Sequence, residues 1–186
     1  AAFPGAAIGG GMLTNFTELN RRPPDPAAVD FVTFGATAIV HAADDRSVLE
    51  TLEAYADVFA SARALAGGRP LRLGLVSVGM RSNPYGAAVA ANPEGARLAM
   101  AMDDPRQRGP FAAAFAVALA AEAARGGVES LAPAMAAGPI GLGEDGALWP
   151  VFHAVAALAA LGGAEVAVAG GPSSGLVTIL GQGRRR

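Results

Sequence analysis

The chain has 186 residues, 52% hydrophobic and 16% charged, enough to bury a substantial core and too apolar for intrinsic disorder. A formal charge of −2 and a pI near 5.7 leave no basic stripe for nucleic acid or a membrane surface, and Arg184-Arg185-Arg186 is too short to supply one. With no cysteine there is no disulfide framework and no thiolate metal site, which fits a cytoplasmic location. All 14 basic residues are arginine and alanine is over-used, a pattern better explained by a GC-rich genome than by phosphate or carboxylate recognition. The most apolar run, about Phe111 to Ala121, is too short to span a bilayer and reads as a buried helix. No signal peptide is visible after Ala1, and the missing start methionine suggests a piece of a longer protein.

Ala7 to Leu13, small and glycine-rich, reads as a buried first strand. Prolines between Arg21 and Pro26 then stop regular structure, with a short helical turn expected over Pro26 to Val29. Phe31 to Val40 is the second strand, rich in Val, Thr, Phe and Ile. The next helix is expected to start in a capping box of Ser47 with Glu50. Val48, Leu52, Tyr55, Phe59, Ala62 and Ala66 then form one apolar stripe, which Gly67-Gly68 closes.

Leu71 to Met80 is the third strand. The connection from about Arg81 to Asp103 is broken by Asn83-Pro84, Gly86, Asn92-Pro93 and Gly95, and its length is that of a functional lid or a disordered insert. Asp104, Pro105 and Gln107 supply an N-cap, a first-turn proline and a box partner for a helix reaching Arg125. Val128 to Met135 is the fourth strand, kinked by Pro133, and Trp149 to Leu161 is the last clear helix. Two short β-like runs follow, Glu165 to Ala169 and Leu176 to Leu180, with a Gly-Gly-Pro-Ser-Ser-Gly turn between them. This β-α alternation, with few openings for hairpins, predicts an α/β fold with a parallel sheet and right-handed crossovers. It is either the second half of a (β/α)8 barrel or an open four-stranded parallel sheet.

Each strand is followed by a compact polar or glycine-rich group: Asn15 to Arg22, His41 to Arg46, Arg81 to Gly86, and the barer Ala137 to Gly141. In parallel α/β sheets the C-terminal strand ends open onto one face, where ligands bind, so these groups are expected to converge on one pocket of an enzyme. Glu18 is either a general base or nucleophile, or a loop brace paired with Arg21 or Arg22. His41, with Asp44 and Asp45 close enough to orient it, is either a proton carrier or a satisfied histidine beside a helix cap. Arg81, Asn83 and Tyr85 leave the third strand together, as binding groups or as a folded turn. Arg106 and Arg108 with Asp103 and Asp104 read as a capped, ion-paired loop, and His153 as structural. The spacing of His and carboxylates matches no metal motif, and neither a nucleophile elbow nor a dinucleotide fingerprint is present, so no metal or cofactor is expected.

Four segments carry a more specific signal: Asn15-Phe16-Thr17-Glu18-Leu19-Asn20-Arg21-Arg22-Pro23-Pro24, the stretch Ile39 to Val48 around His41-Ala42-Ala43-Asp44-Asp45-Arg46, Gly79-Met80-Arg81-Ser82-Asn83-Pro84-Tyr85-Gly86-Ala87, and Met102 to Gly109. In this order they resemble the D-apionate lactonase family, over roughly positions 5 to 162. The resemblance implies a glycosidase-like (β/α)8 barrel flanked by β domains. Residues 1–163 would be about four β-α units of it, and 164–186 a truncated start of a C-terminal β domain or a disordered tail.

It also implies hydrolytic opening of a sugar-acid lactone, a small-molecule partner in place of nucleic acid or membrane. Glu18 would be the carboxylate base or nucleophile, His41 the proton relay and Arg81 the oxyanion stabiliser. Asn20, Asp44, Asp45, Asn83 and Tyr85 would hold the sugar. Two alternatives stand beside it. A glycoside hydrolase on the same barrel needs a second carboxylate about 5 to 9 Å from the first. An inactive truncated product would expose unpaired sheet edges.

Overall fold

The computed structural model describes residues 3–182, so Arg184-Arg185-Arg186 lies outside the described residues. Four strands, β1 (Gly9–Gly11), β2 (Phe31–Thr37), β3 (Leu71–Ser77) and β4 (Ser130–Ala132), pair in parallel in that spatial order. The helices α1 (Phe16–Arg21), α2 (Asp45–Glu50), α3 (Tyr55–Ala66) and α4 (Pro110–Arg125) fall in the three crossovers, and α5 (Pro150–Ala159) follows β4. Neighbours in sequence are neighbours in space, as in successive barrel strands; a doubly wound sheet reverses its order midway.

Burial alternates along the central strands. Val32 and Phe34 of β2 and Leu71 and Leu73 of β3 are buried, whereas Phe31, Thr33, Arg72 and Gly74 are partly covered. The buried set joins Leu52, Phe59, Phe115 and Leu119 in one core between sheet and helices. On the other face Arg72 donates to Glu129 at 2.5 Å and lies over the Phe31 ring, 4.1 Å from its centroid. A sheet with helices packed on one face alone is half of the usual parallel arrangement, in which both faces are covered.

The strands end sooner than their composition suggests. Beyond Thr37 and Ser77 the long connection takes over the backbone bonds: Met80 N–H donates to Ala101 at 2.8 Å, and Met100 N–H to Ile39 at 2.7 Å. β4 stops at Ala132 because Pro133 has no N–H to donate. The connection is an ordered, tied segment: Asn92 donates to Ala96 and Asp103 and accepts from the Ala96 amide.

Helix starts also differ. Asp44, not Ser47, is the N-cap, accepting from the Ser47 amide at 2.9 Å, while Glu50 pairs with Arg46 at 2.7 Å. The apolar stripe is as expected: all six of its residues are buried, through α2, a 3-10 turn at Thr51–Ala54, and α3. Asp104 caps a 3-10 turn at Pro105–Arg108, Gln107 donates to the Gly141 carbonyl in place of closing a box, and α4 begins afresh at Pro110. The polar group Asn15 to Arg22 is largely helical, as α1, because Leu19 is buried and Phe16 sets its ring edge-on to Phe34 at 5.6 Å.

Two hairpins stand where few were expected. β5 (Gly143–Glu144) and β6 (Ala147–Leu148) join through Asp145-Gly146, both left-handed as such a two-residue turn requires. β7 (Glu165–Gly171) and β8 (Leu176–Gln182) form an antiparallel pair from the two terminal β-like runs. Among the described residues no helix is long and apolar enough to cross a membrane.

Candidate active site

Two hollows open around the C-terminal ends of the first three strands. The larger, about 470 Å³, lies between α1 and the α2–α3 segment and is lined in part by Asn15, Thr17, His41, Tyr55 and Tyr85. That volume falls in the range of small-molecule sites. The smaller, about 20 Å³, is bounded by Thr14, Asn15, Thr37, Ser77, Arg81 and Ser82. Asn15, Ala36 and Thr37 line both, so the two hollows share a wall.

The third strand delivers Arg81 to the smaller hollow, where its Nη2 donates to the Leu13 carbonyl at 2.7 Å and so ties the ends of β3 and β1 together. Four residues on, Tyr85 stands 53% exposed at the larger cavity, which His41, four residues past the end of β2, also lines. Asn83 serves the loop that carries Tyr85. Its Oδ1 accepts from the Tyr85 amide and its Nδ2 donates to Ala88, both at 2.9 Å.

The carboxylates are differently placed. Asp44 is committed to its cap, and the hydrogen bonds from Ser47, side chain first and then backbone, hold its carboxyl below the usual value. Asp45 accepts from Arg97 at 2.8 Å and from Arg106 at 3.0 Å, fastening the start of α2 to the long connection. Arg106 also grips buried Asp104 through two bonds of 2.9 and 2.7 Å. Glu18, on α1, lines neither hollow. Both its oxygens are closed to solvent without a hydrogen-bond donor, and the Arg21 guanidinium stands 3.5 Å away. Asn20 is exposed on the same helix. Among the described residues, no three His, Asp or Glu side chains gather as a metal ion would need.

Of the residues singled out in the sequence, His41 and Tyr85 therefore share one cavity, and Arg81 sits in the hollow beside it. Glu18, Asn20, Asp44, Asp45 and Asn83 are not on either wall. Sequence reasoning passed over Tyr55, which it took only as a stripe residue. Tyr55 is 4% exposed, its hydroxyl has no partner, and burial pushes its phenol well above the ordinary value, so it stays protonated. The available signal was that Tyr55 alone among the six stripe residues carries a polar atom.

Parallel strands in chain order, helices on one face and polar side chains at the C-terminal strand ends define a portion of a (β/α)8 barrel. The chain belongs to the D-apionate lactonase family: that family's TIM barrel domain matches residues 1–163. It is 46% identical over 172 residues to the D-apionate lactonase of Brucella anthropi, the alignment covering 89% of this chain and 28% of the relative. The chain thus spans 28% of the length of that curated relative. No solved structure matches it.

Proposed function

We propose that this chain is part of an enzyme that hydrolyses the lactone ring of a sugar acid of the D-apionate type. The observation that carries the proposal is the 46% identity to a protein named D-apionate lactonase. Supporting it is the placement of a cation, an imidazole and a phenol on adjoining hollows at the strand ends.

In this reading Glu18 is the general base. Its oxygens are closed to solvent and line neither hollow, so the reading requires α1, whose Phe16 and Thr17 line the larger cavity, to turn the carboxylate toward the substrate. Glu18 takes a proton from water, and the water oxygen bonds to the lactone carbonyl carbon. The carbonyl electrons move onto oxygen, where the Arg81 guanidinium stabilises the developing charge. Collapse breaks the ring C–O bond, and His41 delivers a proton to the leaving ring oxygen. One water is consumed: its OH stays on the acyl carbon, the ring oxygen ends as a hydroxyl, and the proton left on Glu18 passes to solvent as solvent reprotonates His41.

Tyr85 holds the sugar from the wall of the larger cavity; Asn20, exposed on α1, and Asp44, Asp45 and Asn83 act through the elements they hold. Residues 1–163 supply about four β-α units of the barrel, and 164–186 begin a β domain, a division supported by the β7–β8 hairpin. A small-molecule partner and a cytoplasmic location complete the proposal, in line with the −2 charge and the lack of cysteine.

The test is Glu18→Gln in the protein containing this chain, with ring opening followed by acid release. General-base loss lowers kcat by about 10²- to 10⁴-fold. An unchanged kcat would remove Glu18 from the mechanism.

A further inference from the structure

We propose that Asn15, on the wall shared by the two hollows, is a catalytic residue of this site: its side-chain amide donates to the lactone carbonyl oxygen beside Arg81 and completes an oxyanion pocket. This rests on the lactonase reading above and adds to it a residue and its role.

Position is the first argument. Ring opening needs a substrate within reach of Arg81 in the smaller hollow and of His41 and Tyr85 in the larger one. The smaller hollow, about 20 Å³, has room for one group the size of a water or a carbonyl oxygen, and the larger, about 470 Å³, for a sugar ring. A lactone with its ring in the larger hollow and its carbonyl oxygen toward the smaller lies against the three residues that line both, Asn15, Ala36 and Thr37.

The second argument is which of these three has a donor to give. Ala36 has none, and Thr37 Oγ1 spends its one O–H on the Val78 carbonyl at 3.2 Å. Asn15 is the N-cap of α1, where an asparagine ordinarily accepts from a first-turn amide, yet its side chain makes no cap bond. Its amide carries two N–H donors, and no side chain or backbone group among the described residues pairs with them. Asn15 is half-buried, and its amide is not among the unpartnered atoms closed to solvent, so a ligand can reach it.

The amide and the guanidinium are also anchored to one strand end. Arg81 Nη2 donates to the Leu13 carbonyl at 2.7 Å, two residues before Asn15, and the Gly35 amide donates to the Thr14 carbonyl at 2.7 Å. Gly35 permits that approach, because a Cβ there would lie 2.9 to 3.3 Å from the carbonyl oxygens of Leu75, Leu13 and Thr14. Arginine keeps further N–H groups beyond its bond to Leu13, so both side chains can serve one oxygen. Donors fixed before the substrate arrives need no reorganisation as charge develops.

The test follows opening of the lactone of D-apionate, by acid release, together with thermal unfolding. It compares the parent with Asn15→Ala and Asn15→Asp in the protein containing this chain. Asn15→Ala should lower kcat about 10²- to 10³-fold with KM changed less than about threefold, as for a donor engaged in the transition state. It should melt with the parent, because no cap bond is lost. Asn15→Asp keeps the shape and can cap the helix but has no N–H to give, so it should melt no lower than the parent and lose at least as much kcat.

An unchanged kcat in Asn15→Ala would overturn the inference, as would a raised KM at unchanged kcat, which removes ground-state binding alone. Recovery of kcat in Asn15→Asp would overturn it as well, by reducing the residue to a helix cap. The two readings fail in different ways. A parent that opens the lactone beside an equally active Asn15→Ala leaves the lactonase reading standing without this inference. A parent that opens no lactone sinks both.

Discussion

The Asp104–Arg106 pair gives the sharpest test of how the long connection is held. Asp104 has no exposed side-chain area and Arg106 only 5%. One carboxylate accepts from Nε at 2.9 Å, from Nη2 at 2.7 Å, and from the Arg106 backbone amide at 2.9 Å. Asp104→Ala leaves the guanidinium buried with Asp45 alone, at 3.0 Å. Removing one partner of a buried pair costs about 3–5 kcal/mol. The lost cap falls within that figure, because both effects pass through one carboxylate. We expect about 4 kcal/mol, a large fraction of the ~5–15 kcal/mol that holds a domain together.

Two companion variants isolate the cause. Asp45 is 44% exposed, so Asp45→Ala should cost only about 1 kcal/mol. Replacing both members, Asp104→Leu with Arg106→Met, removes the stranded charge and should recover most of the loss. Urea unfolding followed by circular dichroism measures all three. The reasoning is refuted if Asp104→Ala costs no more than Asp45→Ala, or if the double replacement is no better than Asp104→Ala alone.

Other expectations follow from the same contacts. At Gly79 an added Cβ would press on the Met102 carbonyl oxygen and on Ile140, where β3 meets the connection, so Gly79→Ala should cost about 2–3 kcal/mol by overpacking. At Gly68 a Cβ meets nothing within 4 Å and only the φ of +88° opposes it, so Gly68→Ala should cost about 1 kcal/mol; equal losses on thermal unfolding would mean that the Gly79 contact is loose. The Asp44 carboxyl titrates lower in the folded chain than when unfolded, so its charged form adds stability above its ordinary value of 3.8, and that stability is lost as pH falls through the folded value. Asp44→Asn keeps a capping side chain without the charge and should flatten the acid limb of a melting-temperature profile, and an unchanged limb would count against the cap.

The β-α alternation was legible because it rests on local chemistry. Val48 to Ala66 recur at helical steps, and each stripe residue is buried. Strand ends were less legible because tertiary bonds decide them: nothing near Val40 or Met80 in sequence announces that Met100 and Ala101 will pair there. Asp44 and Ser47 both satisfy the rules for an N-cap, and a choice of three residues separated the expectation from the outcome. The Asp145-Gly146 hairpin was readable and was passed over. Within the candidate site, the clustering at strand ends was plain, but the roles were not. Asp45 meets Arg97 and Arg106 across 52 and 61 residues, a distance no local pattern encodes.

Hydrogen-bond saturation separates the frame of this site from its reach. A carboxylate or amide that already accepts and donates within the protein must break those bonds to turn toward a ligand, at a net cost of about 1 kcal/mol each and more where charge is involved. Asp44, Asp45, Asn83, Asp104 and Arg106 are all committed in this way, and their bonds shape the loops at the end of β2 and after β3. Glu18 and Tyr55 are the opposite case: buried oxygens without a hydrogen-bond donor or acceptor, a cost that an uncharged or apolar replacement removes. Substitutions in the first group should therefore register mainly as stability and as KM, through displaced loops. Substitutions in the second, such as Tyr55→Phe, should leave the protein as stable as before, or more so, which thermal unfolding measures.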